Sequence, residues 1–90
     1  MKFIQKIKVK NKLGLHTRPA TSIVKMLQNC QSDVHFVCKN EVINAKSILS
    51  ILMLAAKKNT AITIQVEGVD AEEVGVKLVE GFETCFGEPF

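Results

Sequence analysis

A histidine and an arginine lie two positions apart in the segment GLHTRPA, residues 14–20. Helical spacing of apolar residues begins just after this histidine, His16, so we expect it at the junction of a loop and a helix. At physiological pH, histidine offers a neutral, nucleophilic ring nitrogen that can form covalent intermediates. A phosphoryl group on such a nitrogen would be held by a labile N–P bond, and lability suits a group that is passed on.

The expected helix start would favour an anion beside His16. The first N–H groups of a helix have no intrahelical acceptor, and the helix dipole adds positive potential at the same place. Arg18 carries a planar guanidinium suited to gripping phosphate oxygens in pairs. Gly14 lets the loop bend closely. We therefore predict that Thr17 and Arg18 bind the oxygens of a phosphoryl group carried by His16, with no metal and no cofactor.

A plainer interpretation stays open on position alone, in which His16 is a surface histidine at a helix N-cap with no chemistry. The sequence around His16 shows no second titratable group that would act as a base. That absence favours phosphoryl exchange with an external donor over hydrolysis. A third interpretation, an enzyme with His16 as general base, lacks a visible substrate pocket and a second catalytic group.

Alternation and helical spacing of apolar residues predict the order β-α-β-β-α-β-α. We expect strands near residues 3–10, 34–38, 41–43 and 62–67, and helices near residues 17–30, 48–56 and 71–86. Four strands in one mainly antiparallel sheet, with three helices on one face, make a two-layer α+β domain.

The last predicted helix has a capping pattern at its start and two glycines within it. Asp70 followed by Glu73 is typical of a capping box at the helix start. Gly75 and Gly81 lower helix stability by up to ~1 kcal/mol each, so we expect both to pack closely against the sheet.

Composition limits the class of protein. The chain has 90 residues, of which 47% are hydrophobic and 23% charged, so we expect one globular domain over residues 1–90. No apolar run approaches a membrane span and no secretory segment is visible, which predicts a cytoplasmic protein. Three cysteines without a CxxC pair indicate buried, reduced thiols. The net charge of +3 lies mainly in the first half and favours an anionic partner there.

The segment NKLGLHTRPA, residues 11–20, resembles the active-site motif of HPr, the histidine phosphocarrier of the bacterial sugar phosphotransferase system. The similarity extends over essentially the whole chain in length and element order. It implies an open-faced β-sandwich, phosphorylation of Nδ1 of His16, and a phosphate-binding role for Arg18. It further implies that enzyme I, charged by phosphoenolpyruvate, is the donor and that enzyme II A-domains are the acceptors.

A second motif opens the central helix, which is almost wholly apolar from Ile48 to Ala56. A small domain cannot bury every side of such a helix, so part of it should form an exposed patch able to bind a partner. The resemblance to HPr assigns Ile48, Leu49 and Leu52 to this contact, with Thr21 from the first helix beside them.

Ser47 has two interpretations. It is a sound N-cap on its own, and residues 44–49 also resemble the HPr segment whose serine is phosphorylated by a dedicated kinase/phosphorylase. Phosphate there would add roughly two negative charges beside the patch and hinder docking of an acidic partner. Ser50 departs from the family, which commonly has glycine at this position, and residues 86–90 form a tail without a clear family role.

Two other function classes fit parts of the sequence. A regulatory HPr paralogue would use the same His16 chemistry but pass the phosphoryl group to control proteins, and sequence does not separate the two. A nucleic-acid-binding module would fit the basic first half, but the chain lacks the aromatic stacking pair of RNA-binding sheets. We expect a monomer that does not bind nucleic acid and does not insert into a membrane. Which sugar or acceptor it serves is not encoded in a recognisable motif.

Overall fold

A computed structural model describes residues 1–89, and the predicted order of elements is confirmed. The strands are β1 (Lys2–Lys8), β2 (Asp33–Cys38), β3 (Glu41–Asn44) and β4 (Ala61–Glu67). The helices are α1 (Thr17–Leu27), α2 (Ile48–Leu54) and α3 (Ala71–Glu83), and a short 3₁₀ turn follows at Cys85–Gly87.

The four strands form one sheet in the order β1-β4-β2-β3, and all neighbouring strands are antiparallel. In β2 and β4, alternate residues are buried under the helices, as the period of two predicts. The largest fully buried side chains come from the sheet and from α1, α2 and α3: Phe36, Phe82, Ile23, Leu27, Ile51, Ile62, Ile64 and Leu78. The sheet's other face lies open, so the two-layer α+β prediction is confirmed.

The loop after β1 is tied to the chain between α2 and β4. The amide of Leu15 donates to the carbonyl of Ala56 at 2.9 Å, and the amide of Val9 donates to the carbonyl of Thr60 at 2.9 Å. Gly14 has φ +73°, and a Cβ at that position would lie 2.3 Å from the Ala56 oxygen. Glycine is therefore required at this position both by conformation and by space. Because the adjacent Leu15 is bonded to Ala56, the position of His16 relative to the end of α2 is fixed.

α2 ends earlier than predicted. Ala55 adopts the left-handed conformation with φ 52°, and its amide donates to the carbonyl of Leu52 at 3.1 Å, which stops the helix at Leu54. Ile51 is fully buried, whereas Leu49 is 64% and Met53 is 74% exposed. The expectation that part of this apolar helix stays exposed is confirmed.

The predicted capping box at α3 is wrong. Asp70 occupies the N-cap position, but its side chain makes no bond to the helix's own amides. Its carboxylate instead accepts from the Gln31 amide at 2.9 Å and from the Ser32 hydroxyl. Asp70 therefore joins the start of α3 to the chain before β2, and Glu73 lies 3.4 Å from Lys77 one turn on.

The two helix glycines pack closely, but only one packs against the sheet. A Cβ at Gly75 would lie 2.1 Å from the ring of Phe3 on β1, as expected. A Cβ at Gly81 would lie 2.3 Å from the ring of Phe86, so this glycine makes room for the turn after α3 and not for the sheet.

The three thiols are unpaired. Cys38 and Cys85 are buried as expected, and Cys30 is only half-buried. Within residues 1–89, no helix has the length and hydropathy needed to cross a bilayer.

Candidate functional site

His16 is the N-cap residue of α1, as its place in the sequence predicted. Its backbone is extended (φ −84°, ψ −165°), and its carbonyl accepts from the Ala20 amide at 3.0 Å. Its side chain does not cap the helix and remains 31% exposed. The backbone of His16 thus begins the helix, while the imidazole is left for other contacts.

The first turn of α1 contains Thr17, Arg18 and Pro19, and it holds no acidic residue. Pro19 has no N–H, so the unpaired donors of this turn are reduced to the amides of Thr17 and Arg18. The side chain of Arg18 is exposed and forms no salt bridge with the rest of residues 1–89. Two backbone donors and one guanidinium therefore remain beside the imidazole to receive an anion.

Glu88 lies against the imidazole, a contact that sequence reasoning missed. Nε2 of His16 is 2.9 Å from Oε2 and 3.1 Å from Oε1 of Glu88. The expectation that no second titratable group accompanies His16 is therefore wrong. The two residues are 72 positions apart, so no local spacing rule could have joined them.

The contact with Glu88 determines the tautomer of His16. A carboxylate only accepts hydrogen bonds, so the ring nitrogen facing it carries the proton. In the neutral ring the other nitrogen, Nδ1, then holds a lone pair. No protein atom within residues 1–89 forms a hydrogen bond with Nδ1. The contact with Glu88 thus leaves the Nδ1 lone pair free of protein partners within residues 1–89.

The carboxyl group of Glu88 is held in its ionised form. Burial opposes its ionisation, but the hydrogen bonds from Asn11 and His16 and the nearby charges of His16 and Arg18 outweigh burial and lower its pKa.

Residues 85–89 bring Glu88 back to the loop that carries His16. Cys85, Phe86 and Gly87 all have positive φ (56°, 49° and 86°), which turns the chain sharply after α3. The Phe86 ring packs edge-on against Phe82 with ring centroids 5.0 Å apart. The tail that seemed without a role at the sequence level therefore supplies a site residue, while its last position, Phe90, lies outside the described residues.

The remaining predicted residues lie on α1 and α2. Thr21 is exposed, and its hydroxyl donates to the carbonyl of Thr17 at 2.8 Å. Ile48, Leu49 and Leu52 are exposed by 39%, 64% and 36%. Because α1 contacts α2, and the His16 loop is bonded to Ala56 just beyond α2, this apolar patch adjoins the site.

Ser47 is the N-cap of α2, which confirms its structural interpretation. Its Oγ accepts from the Ser50 amide at 3.2 Å, and the side chain is half-buried. Within residues 1–89, no three histidine, cysteine or acidic side chains converge in a way that would hold a metal ion.

The chain matches a family profile and is similar to proteins of known sequence and structure. A family profile described as "PTS HPr component phosphorylation site" matches residues 4–84. Phosphocarrier protein HPr of Chlamydia muridarum is 40% identical over 80 residues, which cover 89% of this chain and 77% of the relative. The crystal structure of HPr-C-His from Thermoanaerobacter tengcongensis superposes with a TM-score of 0.93 at 35% identity, covering 98% and 99% of the two chains. An HPr dimer from the same organism superposes with a TM-score of 0.77 at 38% identity, covering 91% and 94%.

Proposed function

Because this chain belongs to the HPr family, the phosphocarriers of the phosphotransferase system, we propose that His16 is the residue that carries the phosphoryl group. The observation that supports this most directly is the contact between Nε2 of His16 and the Glu88 carboxylate, which leaves Nδ1 as the free nucleophile.

In the proposed step, the Nδ1 lone pair of His16 attacks phosphorus. The N–P bond forms as the bond from phosphorus to the donor protein breaks, and the electron pair of that bond leaves with the donor. Nδ1 carries no proton to lose, and the proton on Nε2 stays beside Glu88 throughout. Arg18 and the amides of Thr17 and Arg18 stabilise the charge on the phosphoryl oxygens. Transfer to an acceptor reverses the same step.

The arrangement favours holding a phosphoryl group over releasing it to water. Glu88 is the acid nearest the ring, and its carboxylate is already engaged by His16 and Asn11 on the Nε2 side. A base for water activation would have to reach the phosphorus on the Nδ1 side. We infer that the chain is a carrier in a phosphotransferase relay and not itself a hydrolase.

Relay partners of the HPr family belong to the phosphotransferase system. We propose that this chain receives phosphoryl groups from enzyme I, charged by phosphoenolpyruvate, and delivers them to enzyme II A-domains. The exposed side chains of Ile48, Leu49 and Leu52, with Thr21 beside them, form the docking surface in this proposal. Support comes from the hydrogen bond between Leu15 and Ala56, which places His16 next to that surface.

Ser47 is proposed as a regulatory phosphorylation site for an HPr kinase/phosphorylase. A phosphate at the start of α2 would meet the unpaired amides of the first turn, so the helix would tolerate it. It would also set negative charge beside Ile48 and Leu49. Docking of an acidic partner surface would weaken in consequence.

We further propose that residues 1–90 act as one carrier domain that is monomeric and works in the cytoplasm. All helices and strands within residues 1–89 pack on one buried cluster, which supports a single unit. Sedimentation of the purified chain tests the monomer against a dimer.

The experiment that tests the proposed function combines the chain with phosphoenolpyruvate and enzyme I and records the intact mass. We expect an acid-labile adduct of one phosphoryl group in the wild type and none in His16→Ala. Arg18→Ala should slow uptake about 100-fold, as does loss of one oxyanion donor in other active sites. An adduct that survives in folded His16→Ala would contradict the proposal.

A further inference from the structure

We propose that Asn11 is a positioning residue for the carrier site: its buried amide holds the Glu88 carboxylate and, through it, fixes the tautomer of His16. This inference rests on the proposed role of His16. It concerns the unphosphorylated protein, so it can be tested separately from phosphoryl transfer.

The contacts of Asn11 join three parts of the molecule. Its side chain is fully buried, and its Nδ2 donates to Oε1 of Glu88 at 2.6 Å and to the carbonyl of Cys85 at 2.9 Å. Oε1 of Glu88 in turn lies 3.1 Å from Nε2 of His16. A continuous path therefore runs from the loop amide through the carboxylate to the imidazole.

The hydrogen-bond partners settle the orientation of the Asn11 amide. Both groups that face Nδ2 are acceptors, so exchanging the nitrogen and oxygen would bring three acceptors together. In the observed orientation, Oδ1 is buried without a partner within residues 1–89. A buried acceptor without a partner is costly. The two hydrogen bonds donated by Nδ2 offset that cost.

Asn11 also constrains a strained segment. Cys85 and Phe86 are non-glycine residues with positive φ, a conformation that persists only where its surroundings impose it. The bond from Asn11 to the Cys85 carbonyl holds this turn, and the second bond places the carboxylate three residues further on. Anchoring the turn alone would need only the first bond, so the second bond is the one that serves the site.

The test measures the tautomer of His16 by ¹⁵N NMR and the titration of the Glu88 side chain by ¹³C NMR. Asn11→Ala should shift the ring several-fold toward the Nδ1–H form, as should Glu88→Gln. Asn11→Ala should also raise the pKa of Glu88, because the hydrogen bond from Asn11 is the strongest of the influences that lower it. The matched control Asn29→Ala removes an exposed amide from the turn after α1 and should change neither signal.

A double variant separates positioning from general damage to the fold. If Asn11 acts through Glu88, then Asn11→Ala combined with Glu88→Gln should shift the tautomer no further than Glu88→Gln alone. Additive shifts, or an unchanged tautomer in folded Asn11→Ala, would overturn the inference. Phosphoryl uptake by wild type but not by His16→Ala would still support the proposed function in that case.

If Asn11→Ala does not fold, the wild type still provides a test. The side-chain amide protons of Asn11 should follow the titration of the Glu88 carboxyl group, since Nδ2 donates directly to it. Amide resonances that do not respond to that titration would contradict the inference without any substitution.

Discussion

The imidazole of His16 and the carboxylate of Glu88 meet at 2.9 Å although 72 positions separate them in the chain. The contact reaches Nε2, so in the neutral ring the proton lies on that nitrogen and Nδ1 holds the lone pair. The same carboxylate is held by Asn11 from the loop before His16. The tautomer of His16 is thus influenced by residues from both ends of the described chain.

Glu88→Gln should slow phosphoryl uptake by His16 roughly 3- to 10-fold, the effect of one lost hydrogen bond. An amide at this position faces Nε2 with either oxygen or nitrogen, so the preference for a proton on Nε2 weakens. The initial rate of adduct formation with enzyme I measures the effect. Glu80→Gln, which removes an exposed acid from α3, is the matched control. A rate for Glu88→Gln equal to that of the control would count against a role for the carboxylate.

Ser47 allows capping and charge to be separated. Ser47→Ala should lower the free energy of unfolding by about 1 kcal/mol, because the bond from the Ser50 amide is lost. Ser47→Asp and Ser47→Asn both retain a capping oxygen, but only the aspartate adds a charge. We expect the aspartate variant to raise the KM for enzyme I several-fold and the asparagine variant to leave it near the wild-type value. Equal KM values for the two would contradict regulation by charge at this helix start.

Gly14→Ala should be strongly destabilising, by roughly 2–4 kcal/mol. The substitution places a Cβ 2.3 Å from the Ala56 oxygen at φ +73°, so steric overlap adds to conformational strain. Gly87→Ala is the matched control, because it has φ +86° but no atom within 4 Å of the added Cβ. It should cost only about 1 kcal/mol. Chemical denaturation measures the free energy of unfolding of both variants. Similar decreases in the two would show that the close approach of residue 14 to the Ala56 oxygen does not determine the effect.

Asp70→Asn should lower stability at neutral pH, because the carboxylate accepts from Ser32 and Gln31. Those bonds lower the pKa of Asp70 below its ordinary value of 3.8. A group whose pKa is lower in the folded state adds fully to the free energy of unfolding at pH values above its unfolded-state pKa. It loses that contribution as the pH falls through its folded-state pKa. The stability difference between wild type and Asp70→Asn should therefore begin to shrink as pH falls below about 3.8, and it should vanish only once the pH lies below the lowered folded-state pKa.

Unfolding curves recorded between pH 2 and pH 7 check this prediction, with Asp33→Asn as the control because Asp33 is an exposed acid on β2. A difference between wild type and Asp70→Asn that persists unchanged at low pH would mean that the bonds to Ser32 and Gln31 do not depend on the charge.

Local signals in the sequence predicted the fold and half of the site. Alternation of apolar residues located all four strands, and the loop-to-helix junction located His16, because both depend on neighbours a few residues away. Asn11 and Glu88 escaped prediction because their contacts join the loop after β1 to the turn after α3. Asp70 shows the same limit. Its spacing to Glu73 is typical of a capping box, but its carboxylate accepts hydrogen bonds from Gln31 and Ser32, which are distant in sequence.

The central claim, that His16 carries the phosphoryl group on Nδ1, is tested most directly by NMR of the phosphorylated chain. The wild type, labelled with ¹⁵N and charged by enzyme I and phosphoenolpyruvate, should show one-bond ³¹P–¹⁵N coupling to Nδ1 of His16, with the proton retained on Nε2. Coupling to Nε2, or a phosphoryl group on any residue other than His16, would contradict the account.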